Sequence, residues 1–181
     1  MQYEYRIADK SDAGELSKLL RGAMLTYCVN SGISSYMLEA MTESIGAIED
    51  RVTHNTCMCF FDGSKAVATI TLSLTSTPQK YSFSNKTHSF LSRFDKVGYI
   101  SRFAVKEDLR QAGLGIMLMD KAIELAKEKG CQALLLNSCA SNKPMVEFYS
   151  NRGFKLIDVE DSRGYDRGLF SYRLADDDQK I

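Results

Sequence analysis

The stretch Arg110-Gln111-Ala112-Gly113-Leu114-Gly115 combines a guanidinium with two glycines one residue apart. An apolar run, Tyr99 to Val105, precedes it and an amphipathic pattern follows, so the spacing predicts a strand, a tight turn and a helix start. That is how a chain grips a diphosphate. Residues with little side chain let the backbone approach an anion, and the free N–H groups of the helix's first turn then point at it. Arg110 can add a charge-assisted contact. Gly-x-Gly before a helix also occurs merely as a tight turn. No Gly-Lys-Ser/Thr follows, as a P-loop requires, and the third glycine of a dinucleotide fingerprint is missing. The chemistry expected is coenzyme binding.

The elements that must position this turn follow from periodicity. Tyr3, Tyr5 and Ile7 alternate with Glu4 and Arg6 as in a half-buried strand, and Asp12-x-x-Glu15 resembles a capping box before Leu16, Leu19, Leu20 and Ala23. After Ser31-Gly32, residues Met37, Met41, Ile45, Ile48 and Val52 recur at helical spacing and predict one second helix. Thr56 to Phe61 and Lys65 to Leu74 form a predicted hairpin about Asp62-Gly63-Ser64. A long polar insertion over 75–97 follows, without a predicted element, and so long a connection implies a use such as a substrate lid or an oligomer arm.

Beyond the glycine turn, Leu114, Leu118, Ala122 and Ala126 share a helical face that Gly130 ends, and Ala133 to Asn137 reads as a strand buried on both faces. Strand, crossover helix and strand imply a parallel pair. Asn142 caps a short helix with Pro144 in its first turn and Gly153 at its end. Phe154 to Val159 and Leu169 to Leu174 form a final antiparallel pair, and residues 175–181 form a frayed acidic tail.

Length and composition suit a single domain over 1–181, with 44% hydrophobic residues. The 23 basic and 23 acidic residues balance, so no global basic field draws the chain to nucleic acid or anionic membrane. No apolar run spans a bilayer, and Met1-Gln2-Tyr3-Glu4-Tyr5 lacks the order of a signal peptide, so a cytoplasmic protein is expected. Cys28, Cys57, Cys59, Cys131 and Cys139 include no Cys-x-x-Cys pair, which predicts reduced thiols and no metal site.

Read together, Arg110 to Gly115 and the later Asn142, Phe148, Tyr149, Gly153 and Phe154 resemble the paired motifs of the GNAT superfamily of N-acetyltransferases. The resemblance implies an α/β fold of mixed type, a bent mixed sheet of about seven strands flanked by about four helices and splayed between strands 4 and 5. It implies acetyl-CoA as co-substrate, lying between those strands. The pantetheine arm would pair with the backbone of Phe103, Ala104 and Val105 as an added strand does. The diphosphate would sit on the amides of Gln111, Ala112, Gly113, Leu114 and Gly115 beside Arg110. Asn142 would bond the pantetheine amide, with helix capping as its other role, and Phe148 would border the coenzyme.

Acetyl transfer needs a neutral amine, a donor for the developing oxyanion and a proton for the departing thiolate. The resemblance gives the last role to Tyr149, whose phenol holds its proton at neutral pH; packing beside Phe148 is the alternative. The implied acceptor is a primary amine of a small molecule or peptide. A coenzyme-binding regulatory module with little turnover is the alternative function, encouraged by Tyr99 and Asn137, which stand where family members carry glutamates. Ser101 is a candidate for relaying the amine's proton through water. Glu39 and Glu43 lie one helical turn apart, and the resemblance, whose first two helices border the acceptor site, would let them receive a cationic amine, but a solvated helix face is the preferred explanation of such a pair. Arg102 could bind substrate or a neighbouring subunit, and family members commonly form dimers. His54 and His88 receive no role.

Overall fold

The computed structural model describes residues 3–75, 84–161 and 163–174. Its strands are β1 (Glu4–Ile7), β2 (Thr56–Asp62), β3 (Lys65–Thr75), β4 (Val97–Val105), β5 (Ala133–Cys139), β6 (Lys155–Glu160) and β7 (Arg167–Arg173). They form one mixed sheet in the order β1-β2-β3-β4-β5-β7-β6. The helices are α1 (Ala13–Ser31), α2 (Glu39–Thr42), α3 (Ile45–His54), α4 (Asn85–Leu91), α5 (Leu114–Glu128) and α6 (Lys143–Asn151). Backbone contacts divide the chain into two compact units, Met1–Ser73 with Ile100–Ala122 and Leu74–Tyr99 with Ile123–Ile181.

In the first unit the expected face of α1 is buried: Leu16, Leu19, Leu20 and Ala23 pack with Ile48, Val52, Cys57, Cys59, Phe61 and Ala104. Gly32 closes α1 in the left-handed conformation, as an αL cap requires. Cys57 and Cys59 do share a face, each within 3.2 Å of a threonine hydroxyl, on Thr71 and Thr69 respectively. Burial pushes the Cys59 thiol up to about 12, so this sulfur stays protonated and inert. All five cysteines are free and buried.

Three local expectations fail here. On β1, Tyr5 and Ile7 are 36% and 47% exposed. Arg6 is turned to protein as well, its guanidinium 3.7 Å over the Phe61 ring and forked onto Asp12 at 2.6 and 2.7 Å, while the Tyr5 ring keeps a tilted contact with Phe60 at 5.5 Å. A paired arginine on an end strand thus outcompetes the apolar alternation. The capping box is Asp9 with Asp12, one turn earlier than Asp12 with Glu15, because the Asp12 carboxylate receives Arg6 and the Asp9 amide. The second helix is broken into α2 and α3, because Glu43 is extended and Ser44 starts a new helix by accepting the Ala47 amide.

In the second unit, β5 pairs with β7 from Ala133↔Arg173 to Cys139↔Arg167, and β6 pairs with β7 antiparallel. Ala133 to Leu136 are almost fully buried, as a strand covered on both faces should be. The insertion over 75–97 is not devoid of structure: it holds α4 and the start of β4. Leu91 and Val97 join Ala133, Leu135 and Leu169 in a second core, with Phe90 and Phe94 against it. Asp158 of β6 tethers α4 by accepting from the Ser84 hydroxyl and from Thr87 Oγ1, while Glu160 Oε1 accepts from the Ser84 amide. Polarity hid these contacts, since their partners lie more than 70 residues on. The proposed tail over 175–181 lies outside the described residues.

Candidate active site

Between β4 and α5 the chain makes two left-handed steps, Gln111 at φ 70° and Gly113 at φ 84°. The Ala112 amide bonds Leu109 O, and the Met117 amide is the one that bonds Gly113 O. Among the described residues, no bond is found for the amides of Gln111, Gly113, Leu114 and Gly115 to any carbonyl or side chain. A helix start with unpaired N–H groups favours an anion. Arg110 folds back, donating from Nε to Val105 O at 3.4 Å.

The two glycines serve different ends. A Cβ at Gly113 would meet nothing within 4 Å, so its requirement is conformational. A Cβ at Gly115 would lie 3.1 Å from Phe103 Cζ and 3.4 Å from Val105 Cγ2, so α5 approaches β4 this closely only without a side chain. Gly113→Ala is therefore expected to cost the fold about 1–2 kcal/mol, the price of a left-handed L-residue, read as a lower urea midpoint at unchanged slope. An unchanged midpoint would mean that the turn relaxes freely.

The first unit also holds a charged cluster that the sequence did not reveal. Glu43 accepts Arg51 Nε at 3.2 Å and Nη2 at 3.1 Å on one side, and Arg102 Nε at 3.1 Å and Nη2 at 3.4 Å on the other. Arg51 Nη1 also donates to Thr71 Oγ1 at 3.1 Å. The Glu43 side chain is only 10% exposed. Burial alone would raise its pKa, but the bonds from Arg102 and Arg51 outweigh that and hold it below the ordinary carboxylate range. Glu43 is thus neither on a solvated helix face nor free to receive an amine, whereas Glu39 is 63% exposed.

In the second unit, Asn142 is fully buried and caps α6, its Oδ1 accepting from the Met145 amide at 3.2 Å. Tyr149 is 5% exposed, with its ring 5.6, 5.9 and 5.8 Å from those of Phe148, Phe154 and Phe170. Aromatic contacts therefore fix the direction of the phenol. The Tyr99 hydroxyl donates to Asn137 Oδ1 at 2.5 Å, and Arg167 Nη2 donates to the same oxygen at 2.9 Å and to Tyr99 Oη at 3.4 Å. Arg167 was not singled out from the sequence, because nothing local says that the first residue of β7 reaches β4. Among the described residues no group of His, Cys, Asp and Glu is arranged to hold a metal ion, and no helix is long and apolar enough to cross a membrane.

Residues 25–154 match the Acetyltransferase (GNAT) family. The chain belongs to this family. The chain also resembles the GNAT protein "GCN5-related N-acetyltransferase 4, chloroplastic" of Arabidopsis thaliana, 35% identical over 63 residues, covering 35% of this chain and 22% of that protein. The chain thus spans under a quarter of that relative's length. Among solved structures, PaiA N-acetyltransferase of Thermoplasma acidophilum in complex with coenzyme A superposes with TM-score 0.71 at 19% identity, over 96% of this chain and 99% of that one. NAA60 of Arabidopsis thaliana with a bisubstrate analogue superposes with TM-score 0.72 at 17% identity, over 95% and 98%. Those likenesses establish the GNAT fold. Tyr99 and Asn137, the two residues at which the resemblance leads one to look for a glutamate, bond each other here.

Proposed function

We propose that this GNAT protein transfers an acetyl group from acetyl-CoA to a primary amine of a small molecule or peptide, with Tyr149 as general acid. The observation that carries the reading is the turn at Gln111–Gly113, whose left-handed backbone leaves a row of amides unbonded ahead of α5. Those amides suit a diphosphate in charge and direction. Acetyl-CoA supplies the activated acyl group as a thioester. By the GNAT resemblance the backbone of Phe103, Ala104 and Val105 is given to the pantetheine arm, Arg110 to the diphosphate, Asn142 to the pantetheine amide and Phe148 to coenzyme binding. PaiA, crystallised with coenzyme A, supports the same ligand class.

Tyr149 then gives its phenolic proton to the departing sulfur, a step suited to a group that is protonated at neutral pH, with a reference pKa of about 10. The ring is held by Phe148, Phe154 and Phe170, which limits the motion of the phenol. On the amine side, neither Tyr99 nor Asn137 offers a carboxylate. The amine must arrive neutral or lose its proton to water, with Ser101 a candidate relay. That pair also favours a second reading, a coenzyme-binding regulatory module with little turnover.

The first test is thermal melting with acetyl-CoA against N-acetylcysteamine thioester, which lacks the diphosphate. At one hundred times its dissociation constant the coenzyme should stabilise the fold by about 2.7 kcal/mol, and the small thioester should not. No shift at saturating acetyl-CoA would leave the likeness as one of fold only. A shift without acetyl release to any amine would favour the regulatory module.

A further inference from the structure

We propose that Arg102 is an anion-reading residue of the acceptor site, so that the preferred acceptor is an amine that also carries a carboxylate. The inference rests on the acetyl-transfer reading and names its substrate class. Arg102 immediately precedes Phe103 on β4, the strand assigned to the pantetheine arm, so a group held there lies near the coenzyme's path.

Three observations distinguish Arg102 from a structural ion pair. Its backbone is left-handed, φ 50°, inside a strand. A residue with a Cβ pays about 1–2 kcal/mol for that conformation, and simple charge pairing does not demand it. Second, Glu43 already has its charge matched by Arg51, which meets both its oxygens. Arg102 therefore brings a second positive charge to one carboxylate, and the trio of Arg51, Glu43 and Arg102 carries a net charge of +1. The remaining neighbour, Glu39 Oε2, is 3.9 Å from Arg102 Nη2, beyond hydrogen-bond reach, on a side chain 63% exposed.

Third, the arginine is held from behind. The chain Thr71–Arg51–Glu43 fixes the Nε and Nη2 edge of Arg102, while Nη1 has no hydrogen-bond partner among the described residues. The Arg102 side chain is 22% exposed, enough for a ligand to reach. A guanidinium with one edge pinned and the other open is preorganised for a carboxylate, since its planar fork matches that anion. Arg51 and Glu43 are positioning residues in this arrangement, and Glu39 is the weak partner that an incoming carboxylate replaces.

The experiment compares wild type with Arg102→Gln and Arg102→Lys on matched probes: leucine, glutamate and lysine against their α-carboxamides, and the dipeptide Ala-Asp against Ala-Asn. The first pairs test an α-carboxylate and the last tests a side-chain carboxylate. The readout is the ratio of kcat/KM for each acid over its amide. Differences in amine basicity cancel when this ratio is compared between variants. In at least one pair the wild-type ratio should exceed the Arg102→Gln ratio by roughly ten- to a hundredfold, the loss of one charge-assisted pair, with Arg102→Lys between them.

Direct titration of the N-acetylated acids and amides, with and without bound CoA, gives the same comparison independently of turnover. Tighter binding of an acid that disappears in Arg102→Gln supports the proposal. Equal binding of acids and amides by wild type, a preference that survives Arg102→Gln, or no binding by any probe overturns it. Melting curves for each variant separate these results from loss of fold. Failure of acetyl transfer itself shows separately, as a melting shift with acetyl-CoA without acetyl release to any probe, or as no shift at all.

Discussion

Tyr149→Phe is expected to lower kcat about a hundredfold while leaving acetyl-CoA affinity unchanged. General acid catalysis by a placed side chain is worth about 10²–10⁴, and water can supply part of the proton in the variant, which argues for the lower end. Phenylalanine keeps the ring contacts with Phe148, Phe154 and Phe170. The fold should lose no more than about one hydrogen bond, roughly 1 kcal/mol. Steady-state kinetics with coenzyme titration checks this. An unchanged kcat would assign the proton to another group and reduce Tyr149 to a packing residue. A large fall in coenzyme affinity instead would place its hydroxyl in binding.

Glu43→Ala carries the largest expected effect on stability, about 3–5 kcal/mol, the range for removing one partner from a buried ionic group. The substitution leaves Arg51, whose side chain is also 10% exposed, facing Arg102 with no anion between them. Acid should reproduce part of this. Because the folded-state pKa of Glu43 is lowered, its stabilisation is complete above the unfolded value, about 4.3, and is lost as pH falls through the folded value. Urea unfolding at neutral pH and below pH 4 measures both effects. In Glu43→Gln the difference between the two pH values should shrink. A Glu43→Ala cost under about 1 kcal/mol would mean that water already screens the cluster.

Where the sequence was legible, the signal was local. Leu114, Leu118, Ala122 and Ala126 repeat at helical spacing, and all four are buried. Gly113 and Gly153 stand where the chain turns left-handed, and Asn142 where a helix begins. The reading failed where a distant partner outweighed the local pattern. Arg6 faces Phe61 and Asp12 although Tyr5 and Ile7 are the apolar residues of β1. The helical spacing from Met37 to Val52 is interrupted because Glu43 leaves the helix to reach two arginines. The helix α4 went unseen because its tether, Asp158, is remote in the chain.

The amino-acid sequence by itself determined the GNAT family, the order of the main elements and the glycine turn before α5, because each rests on glycine conformation, capping chemistry or hydrophobic period, all short-range properties. Only the tertiary structure decided that Tyr99, Asn137 and Arg167 bond one another and that Glu43 is gripped by Arg51 and Arg102. Side-chain bonding between residues 30 and 59 positions apart leaves no periodic trace, since a guanidinium finds its acceptor by where the folded backbone brings it.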